Sequence, residues 1–171
     1  NLFAKGISQS AFSELVNNKA QPLFNKAIQW TGPTGSIIKP LVAAAGLQQG
    51  TITPDTTIND DGQVHPDGAN VNLNGDFHDY DPTGFGIENV FKSMAISSNV
   101  FFMSVGGGAD GIIGLGVNTL THYYQLFGLG AKTGIDLPNE AAGVVPTPTW
   151  KEATQHQPWY LGDTYNISIG Q

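Results

Sequence analysis

A single proline restricts how the apolar stretch SIIKPLVAAAGL, residues 36–47, can fold. The stretch predicts a buried helix, but proline lacks a backbone N–H and is tolerated only in the first turn of a helix. Pro40 therefore requires the helix to begin at about Ser36, directly after the turn TGPTG. The sequence thus predicts that Ser36 lies at a helix N-terminus.

Lys39 follows Ser36 by one helical turn, so the two side chains share a face. A serine hydroxyl becomes a good nucleophile only when a base removes its proton, and burial can lower the pKa of a lysine enough for that task. Backbone N–H groups at the helix N-terminus can stabilise an oxyanion. The pair is either a nucleophile with its base or a helix cap beside a surface lysine, and the S-x-x-K spacing alone leaves both open.

A second polar group, Ser97 and Asn99, follows a stretch with helical periodicity. A hydroxyl and an amide at this spacing can relay a proton and hold a substrate amide. The alternative is an ordinary helix junction, where serine and asparagine are common caps. The preceding helix is predicted to bury a face formed by four recurring apolar side chains: Ile87, Val90, Phe91 and Met94.

The rest of the chain is predicted to be mostly helical, with little strand. Further helices are expected at SAFSELVNN with Ser10 as N-cap, at PLFNKAIQ with Pro22 in the first turn, and at VNTLTHYYQLFG. Residues 50–85, rich in Gly, Asp, Asn and Pro, are expected to form a long irregular segment. Near the end of the chain, a strand is predicted from the alternation of Tyr165, Ile167 and Ile169.

The composition of the chain limits the classes of binding partner that can be expected. The 171 residues suffice for one domain, and the net charge of −7 disfavours nucleic acid and anionic lipid. The chain has no cysteine, which excludes disulfides and thiolate metal sites and fits an extracytoplasmic enzyme. No apolar run is long enough to span a membrane, and the first residues lack the layout of a signal peptide. Any anchor or export signal is therefore expected outside this chain.

The S-x-x-K and S-x-N strings occur together in penicillin-binding proteins and serine β-lactamases. The chain resembles the transpeptidase domain of class B penicillin-binding proteins of the cell-elongation type. The resemblance runs from the first residue to the last. It implies that Ser36 is the acylated nucleophile, that Lys39 is its general base, and that Ser97 and Asn99 form the second motif. The strings that carry it are NLFAKGIS, PLFNKAIQ, GPTGSIIKP, AISSNVFF, FGLGAKTGIDLPNEAAGVVP and GDTYNISIGQ.

The fold implied by this resemblance is α+β and mostly helical. It corresponds to the helical lobe of the penicillin-binding protein and serine β-lactamase fold, with most of the antiparallel sheet missing. Residues 1–171 would then be a partial transpeptidase domain, including the irregular segment 50–85. Apolar surface that normally packs against the sheet is expected to be covered by a homodimer, by a partner or by a repacked core.

The string Lys132-Thr133-Gly134 spells the family's third motif, K-T-G, but we interpret it as a decoy. In the family a TGIDLP segment after the S-x-N motif is structural, and the catalytic K-[ST]-G lies further on, on a central strand. Pro138 also suits a turn better than a central strand. The true third motif is therefore expected to be absent, which makes this a truncated piece with weak or no activity.

The implied activity is that of a peptidoglycan D,D-transpeptidase of the bacterial extracytoplasmic space, acylated by stem peptides ending in D-Ala-D-Ala and by β-lactams. No metal or organic cofactor is implied. One alternative is a serine β-lactamase or β-lactam sensor, for which Glu140 or Glu152 would have to supply the deacylating carboxylate. The other alternative is a non-catalytic helical scaffold that keeps the motifs by inheritance.

The sequence offers two candidate metal sites, a zinc site formed by histidines and a calcium loop. The four histidines lack zinc-site spacing. A loop with Asn70, Asn72, Asn74 and Asp81 has calcium-loop spacing, but amides replace carboxylates and the closing residue is not Glu. Neither metal is therefore expected.

Overall fold

The computed structural model describes residues 3–67 and 77–171. Within those ranges helices dominate, and the two strands form a small antiparallel sheet in which Ile58 pairs with Glu88. A 3-10 turn, Gly35–Ile38, leads directly into α3. The elements in chain order are α1 Gln9–Val16, α2 Lys26–Gln29, α3 Lys39–Gln49, β1 Thr57–Asp60, β2 Gly86–Asn89, α4 Val90–Ile96, α5 Asn99–Gly107, α6 Gly116–Leu126, α7 Pro148–Gln155 and α8 Leu161–Ser168.

Helix α5 forms the centre of the core. Its sequence NVFFMSVGG is apolar on every side, and residues 100–106 are all buried, as is typical of a helix surrounded by other elements. Helices α3, α6 and α8 pack around it. The polar residue at its N-terminal end, Asn99, is therefore held in place by the core of the molecule.

Two glycines allow α8 to approach α5 closely. A Cβ at Gly106 would lie 1.8 Å from Ser168 Oγ, and one at Gly107 would lie 2.3 Å from Tyr165. The Tyr165 hydroxyl crosses the interface and donates to the carbonyl of Gly108 over 2.9 Å. The α5–α8 contact therefore requires residues without side chains on α5.

The strand predicted from Tyr165, Ile167 and Ile169 is wrong, because this region forms α8. The carboxylate of Asp163 accepts the N–H of Tyr160 and starts a helix at this point. Tyr165 and Ile167 are buried within that helix and Ile169 is buried directly after it, because α8 is covered by its neighbours rather than lying half-exposed. Alternation over five residues did not distinguish a buried helix from a strand.

The predicted buried face of the helix before Ser97 is also partly wrong. Val90 is buried, but Ile87 and Phe91 are 69% and 67% exposed. Residues 86–89 are β2 rather than helix, and the pairing register with β1 turns Glu88 inward and its neighbour Ile87 outward. The helix starts only after Asn89, whose side chain caps it.

The first two helices start at different residues from those predicted. Ser8, not Ser10, caps α1, and Phe12 and Val16 remain 40% and 56% exposed on its surface. Pro22 precedes α2, which begins at Lys26. By contrast, the helix expected from about Ser36 is present, with its first turn tightened to 3-10 geometry.

Many apolar side chains are exposed on the described surface, including Ile37 at 75% and Ile113 at 87%. An apolar groove of about 620 Å³ lies between Trp30, Ile38, Val145 and Trp150. The expectation that a second copy or a partner covers apolar surface stays a prediction.

We expect Gly106→Val to lower the free energy of unfolding by about 3 kcal/mol, because the new side chain overlaps Ser168 and forces α8 away from α5. Ala44→Val is the matched control, since Ala44 is an exposed position of α3 and should lose less than about 1 kcal/mol. Urea denaturation followed by circular dichroism measures both. Equal losses in the two variants would show that the α5–α8 approach is not tight.

Candidate active site

The amine of Lys39 is buried and surrounded by oxygen atoms. Its Nζ donates to the carbonyl of Ser97 over 2.6 Å, to Ser97 Oγ over 3.1 Å and to Asn99 Oδ1 over 2.8 Å. The ring of Phe102 lies on another side, 5.8 Å from Nζ. Lys39 is only 1% exposed. A lysine that is buried in this way and fully hydrogen-bonded is not a surface residue.

Burial lowers the pKa of Lys39 to about 8. The main cause is loss of water around the charged amine, and the negative charges of Asp79 and Glu88 partly oppose it. Near neutral pH a small but useful fraction of the amine is therefore unprotonated. A neutral amine in this position can accept a proton.

Ser36 lies on the 3-10 turn that precedes Lys39, and its side chain is exposed. The N–H of Lys39 donates to the carbonyl of Ser36, and residues three apart eclipse each other in this geometry. Within the described part of the chain, the Ser36 hydroxyl makes no hydrogen bond to the amine. The hydroxyl is therefore accessible, one turn from a buried amine.

The turn that carries Ser36 is fixed from the far end of the chain. The N–H of Gly35 donates to the carbonyl of Gly170 over 2.9 Å. A Cβ at Gly170 would lie 2.3 Å from the carbonyl oxygen of Gly35, so the two backbones touch. The position of Ser36 consequently depends on residues just after α8.

Ser97 has a left-handed backbone conformation, with φ 61° and ψ 40°. This conformation is uncommon for a residue with a side chain, and it ends α4. Ser98 then caps α5 by accepting the N–H of Phe101. The S-S-N string is thus a helix junction, and it also supplies the oxygens around the amine. Its predicted role in proton relay and substrate binding stays a prediction.

Of the four predicted site residues, the structure brings Lys39, Ser97 and Asn99 into direct contact and leaves Ser36 beside them. Sequence reasoning missed the carboxylates behind them. Asp79 Oδ2 accepts the N–H of Asn99 over 2.7 Å and of Val100 over 3.3 Å. Glu88 Oε1 accepts from the Ser98 hydroxyl over 2.7 Å.

The sequence carries only weak signals for these carboxylates. Asp79 lies in the string HDYD among several acidic residues that look alike. Glu88 lies beside Ile87, and an apolar neighbour normally takes the inward position of a strand. Only the register with β1 reveals that the carboxylate points inward.

Glu88 and Asp60 are two buried carboxylates on the paired strands β1 and β2. Both are buried, and Glu88 Oε2 and Asp60 Oδ2 have no hydrogen-bond partner among the described residues. Burial and the nearby charge of Asp60 raise the pKa of Glu88 to about 7, although the Ser98 hydroxyl opposes this. Protonated Glu88 would therefore be the favoured form below neutral pH.

The K-T-G string lies in an irregular loop rather than in a strand, in agreement with the decoy interpretation. The carboxylate of Glu140 accepts the N–H and the hydroxyl of Thr133 and the N–H of Gly134. These contacts close the loop 133–140 on itself. Thr133 is therefore engaged in holding a loop.

Residues 3–67 and 77–171 contain no group of three or more His, Asp or Glu side chains placed to hold a metal ion. Asn70, Asn72 and Asn74 of the candidate calcium loop lie outside the described residues. His65 Nε2 lies 2.8 Å from the carboxylate of Asp61, four residues earlier in the chain. No helix in the described ranges is long and apolar enough to cross a membrane.

We expect Glu88→Gln to stabilise the protein at pH 8 by about 1–2 kcal/mol, because it removes a buried charge and keeps an acceptor for Ser98. The folded pKa of Glu88 is raised, so its favourable contribution is complete below about 4.5 and is lost as the pH rises through about 7. The variant should therefore gain little at pH 5.

Denaturation at pH 5, 6.5 and 8 measures this difference, with Glu152→Gln on the exposed surface of α7 as the matched control. A gain that is equal at the three pH values would contradict a titrating buried carboxylate.

A buried S-x-x-K lysine that faces an S-x-N junction agrees with the motif set of penicillin-binding proteins and serine β-lactamases. Residues 7–170 match the penicillin-binding protein transpeptidase domain, and the chain belongs to this family.

The more specific resemblance to the elongation-type proteins is also confirmed. The chain is 37% identical over 171 residues to the peptidoglycan D,D-transpeptidase MrdA of Acinetobacter baumannii and, again at 37%, to that of Escherichia coli K12. All of this chain is covered in both comparisons, but only 24% and 25% of those relatives. The chain thus spans about a quarter of the length of these curated relatives.

Solved structures give the same result and confirm the helical-lobe fold. Pseudomonas aeruginosa PBP2 in complex with WCK 5153 superposes with a TM-score of 0.83 at 31% identity, covering 97% of this chain and 36% of that one. Helicobacter pylori PBP2 superposes with a TM-score of 0.80 at 32% identity, covering 97% of this chain and 29% of that one. A second Helicobacter pylori structure contains PBP2 with MreC.

Proposed function

We propose that this chain carries the nucleophile-bearing part of a peptidoglycan D,D-transpeptidase active site. One observation supports the assignment above the others. The buried amine of Lys39 contacts Ser97 and Asn99 and lies one turn from the exposed hydroxyl of Ser36. Lys39 is the general base, Ser36 the nucleophile, and Ser97 and Asn99 the residues that hold the amine and the substrate.

In the proposed reaction, neutral Lys39 takes the proton of the Ser36 hydroxyl as Oγ bonds to the carbonyl carbon of a D-Ala-D-Ala peptide bond. The resulting tetrahedral intermediate collapses, its C–N bond breaks, and D-alanine leaves with a proton returned from the amine. An amine of a second stem peptide then attacks the ester, losing its proton to Lys39, and Ser36 recovers its own. A β-lactam follows the first step, with ring opening in place of departure.

The contacts of Lys39 explain how one residue can first accept a proton and later return it. Three oxygens accept its hydrogens when the amine is charged, and burial increases the fraction of neutral amine that can start the cycle. Ser97 Oγ lies 3.1 Å from Nζ, within reach to pass a proton onward. Asn99 keeps its amide nitrogen for a substrate carbonyl.

The wider role follows from the relatives. MrdA is named as a peptidoglycan D,D-transpeptidase, and we propose stem peptides and β-lactams as ligands of this site. We also propose an extracytoplasmic bacterial location, through an anchor outside this chain. The catalytic K-[ST]-G is proposed to lie beyond these residues, because Thr133 in the available K-T-G is bound to Glu140. The chain alone should then act slowly, since loss of one oxyanion donor costs roughly 10²–10³ in rate.

The contacts of Glu140 also bear on the β-lactamase alternative. Its carboxylate is exposed and accepts three hydrogen bonds from its own loop, and these lower its pKa. A deacylating base needs a free carboxylate beside the ester. These contacts therefore argue against Glu140 as the deacylating base of a β-lactamase.

The decisive experiment is labelling of the chain by a fluorescent penicillin at millimolar concentration over several hours, followed by intact-mass and peptide mass spectrometry. We expect one adduct, on Ser36, that persists for hours, and none in Ser36→Ala. Rapid turnover of nitrocefin without a lasting adduct would instead indicate a β-lactamase. An adduct elsewhere, or none at all in a folded chain, would leave the non-catalytic scaffold as the correct reading.

The rate of penicillin labelling should also depend on pH, because Lys39 must be unprotonated to act as the base. The folded pKa of Lys39 is about 8, so the initial rate should rise about tenfold per pH unit below 8 and level off above it. Lys132→Ala should leave the profile unchanged, because Lys132 directly precedes the loop 133–140 that Glu140 closes and takes no part in the contacts of Lys39. A profile that is flat from pH 6 to 9, or one abolished in Lys132→Ala, would contradict the roles assigned to the two lysines.

A further inference from the structure

The left-handed backbone conformation of Ser97 is unfavourable, so the residues around it must stabilise it. A residue with a side chain is strained in this conformation, and such strain persists only where the surroundings impose it. Both the carbonyl and the hydroxyl of Ser97 contact the amine of Lys39. Whatever holds Ser97 in place therefore also determines the environment of the amine.

Two adjacent residues hold the junction from both sides. The Tyr80 hydroxyl donates to the carbonyl of Ile96 over 2.9 Å, on the N-terminal side of Ser97. On the C-terminal side, Asp79 Oδ2 accepts the N–H groups of Asn99 and Val100. The other oxygen of Asp79 accepts the N–H of Tyr80 over 2.7 Å, which joins the two contacts into one unit.

The contacts made by Asp79 and Tyr80 differ in how much the fold depends on them. Asp79 is buried and caps the central helix α5, so it also supports the fold. Tyr80 is 64% exposed, and its ring packs against Phe85 at 5.2 Å between centroids. Its hydroxyl is therefore a contact to the junction that can be removed without opening the core.

We propose that Tyr80 is a positioning residue of the active site, whose hydroxyl fixes the junction 96–99 and through it the contacts of Ser97 with the Lys39 amine. This inference rests on the proposed function for its catalytic meaning, but the positioning itself does not require the reaction to occur. With the hydroxyl removed, the junction opens more often, water reaches the amine, and the proton affinity of Lys39 rises.

The test uses Tyr80→Phe, which keeps the ring against Phe85 and removes only the hydroxyl. Tyr123→Phe is the matched control, because the Tyr123 hydroxyl also takes part in one side-chain hydrogen bond, with Gln49 over 2.9 Å. Hydrogen exchange of the Ser97–Val100 amides is measured by NMR, together with titration of Lys39 through its Cε–Hε resonances. Neither measurement depends on acylation.

We expect the amides of Ser97 and Ser98, both bonded to the carbonyl of Ser93, to exchange roughly three- to tenfold faster in Tyr80→Phe. The pKa of Lys39 should rise from its wild-type value of about 8. Amides of α8 should be unaffected, and Tyr123→Phe should match wild type throughout.

The initial rate of penicillin labelling adds the catalytic readout. In Tyr80→Phe it should fall roughly three- to tenfold at pH 7 and recover partly at higher pH, as expected when the base is harder to deprotonate. Unchanged exchange at 97–100 together with an unchanged Lys39 titration would overturn the proposal, and so would equal changes in Tyr123→Phe. Failure of the wild-type chain to be labelled would instead count against the proposed function and leave the positioning result standing.

Discussion

The contact between the Lys39 amine and the three oxygens of Ser97 and Asn99 is the interaction on which the rest of the site depends. It joins the start of α3 to the junction between α4 and α5, nearly 60 residues further along the chain. An amine taken out of water must be fully hydrogen-bonded or lose its charge, and this one is arranged for both states. The carboxylates of Asp79 and Glu88 bind the junction, and their negative charges partly oppose the lowering of the Lys39 pKa.

This arrangement makes the site a product of packing rather than of local sequence. Asn99 is fixed because α5 is the buried centre of the fold. Ser97 keeps an unfavourable backbone conformation because Asp79 and Tyr80, from the irregular segment, hold the residues on either side of it. A segment that looks like a mere connection in the sequence thus supplies the support for the second motif.

The parts of the fold that could be predicted were those set by short-range rules. Pro40 placed the start of α3 near Ser36, and the motif spacing pointed to Lys39, Ser97 and Asn99, which the structure brings into contact. The strand predicted around Ile167 failed because burial on all sides removes the periodicity that separates strand from helix. Glu88 could not be foreseen, since its inward position depends on the pairing register with a strand some 30 residues earlier.

The hydrogen bond between Gly35 and Gly170 has a consequence for the order in which the molecule forms. It joins residues separated by most of the chain, and such distant contacts are slow to form because a long loop has to close first. The 3-10 turn with Ser36 thus lacks one of its supports until the helix at the opposite end has docked. Displacement of α8 would therefore loosen the turn that presents the Ser36 hydroxyl.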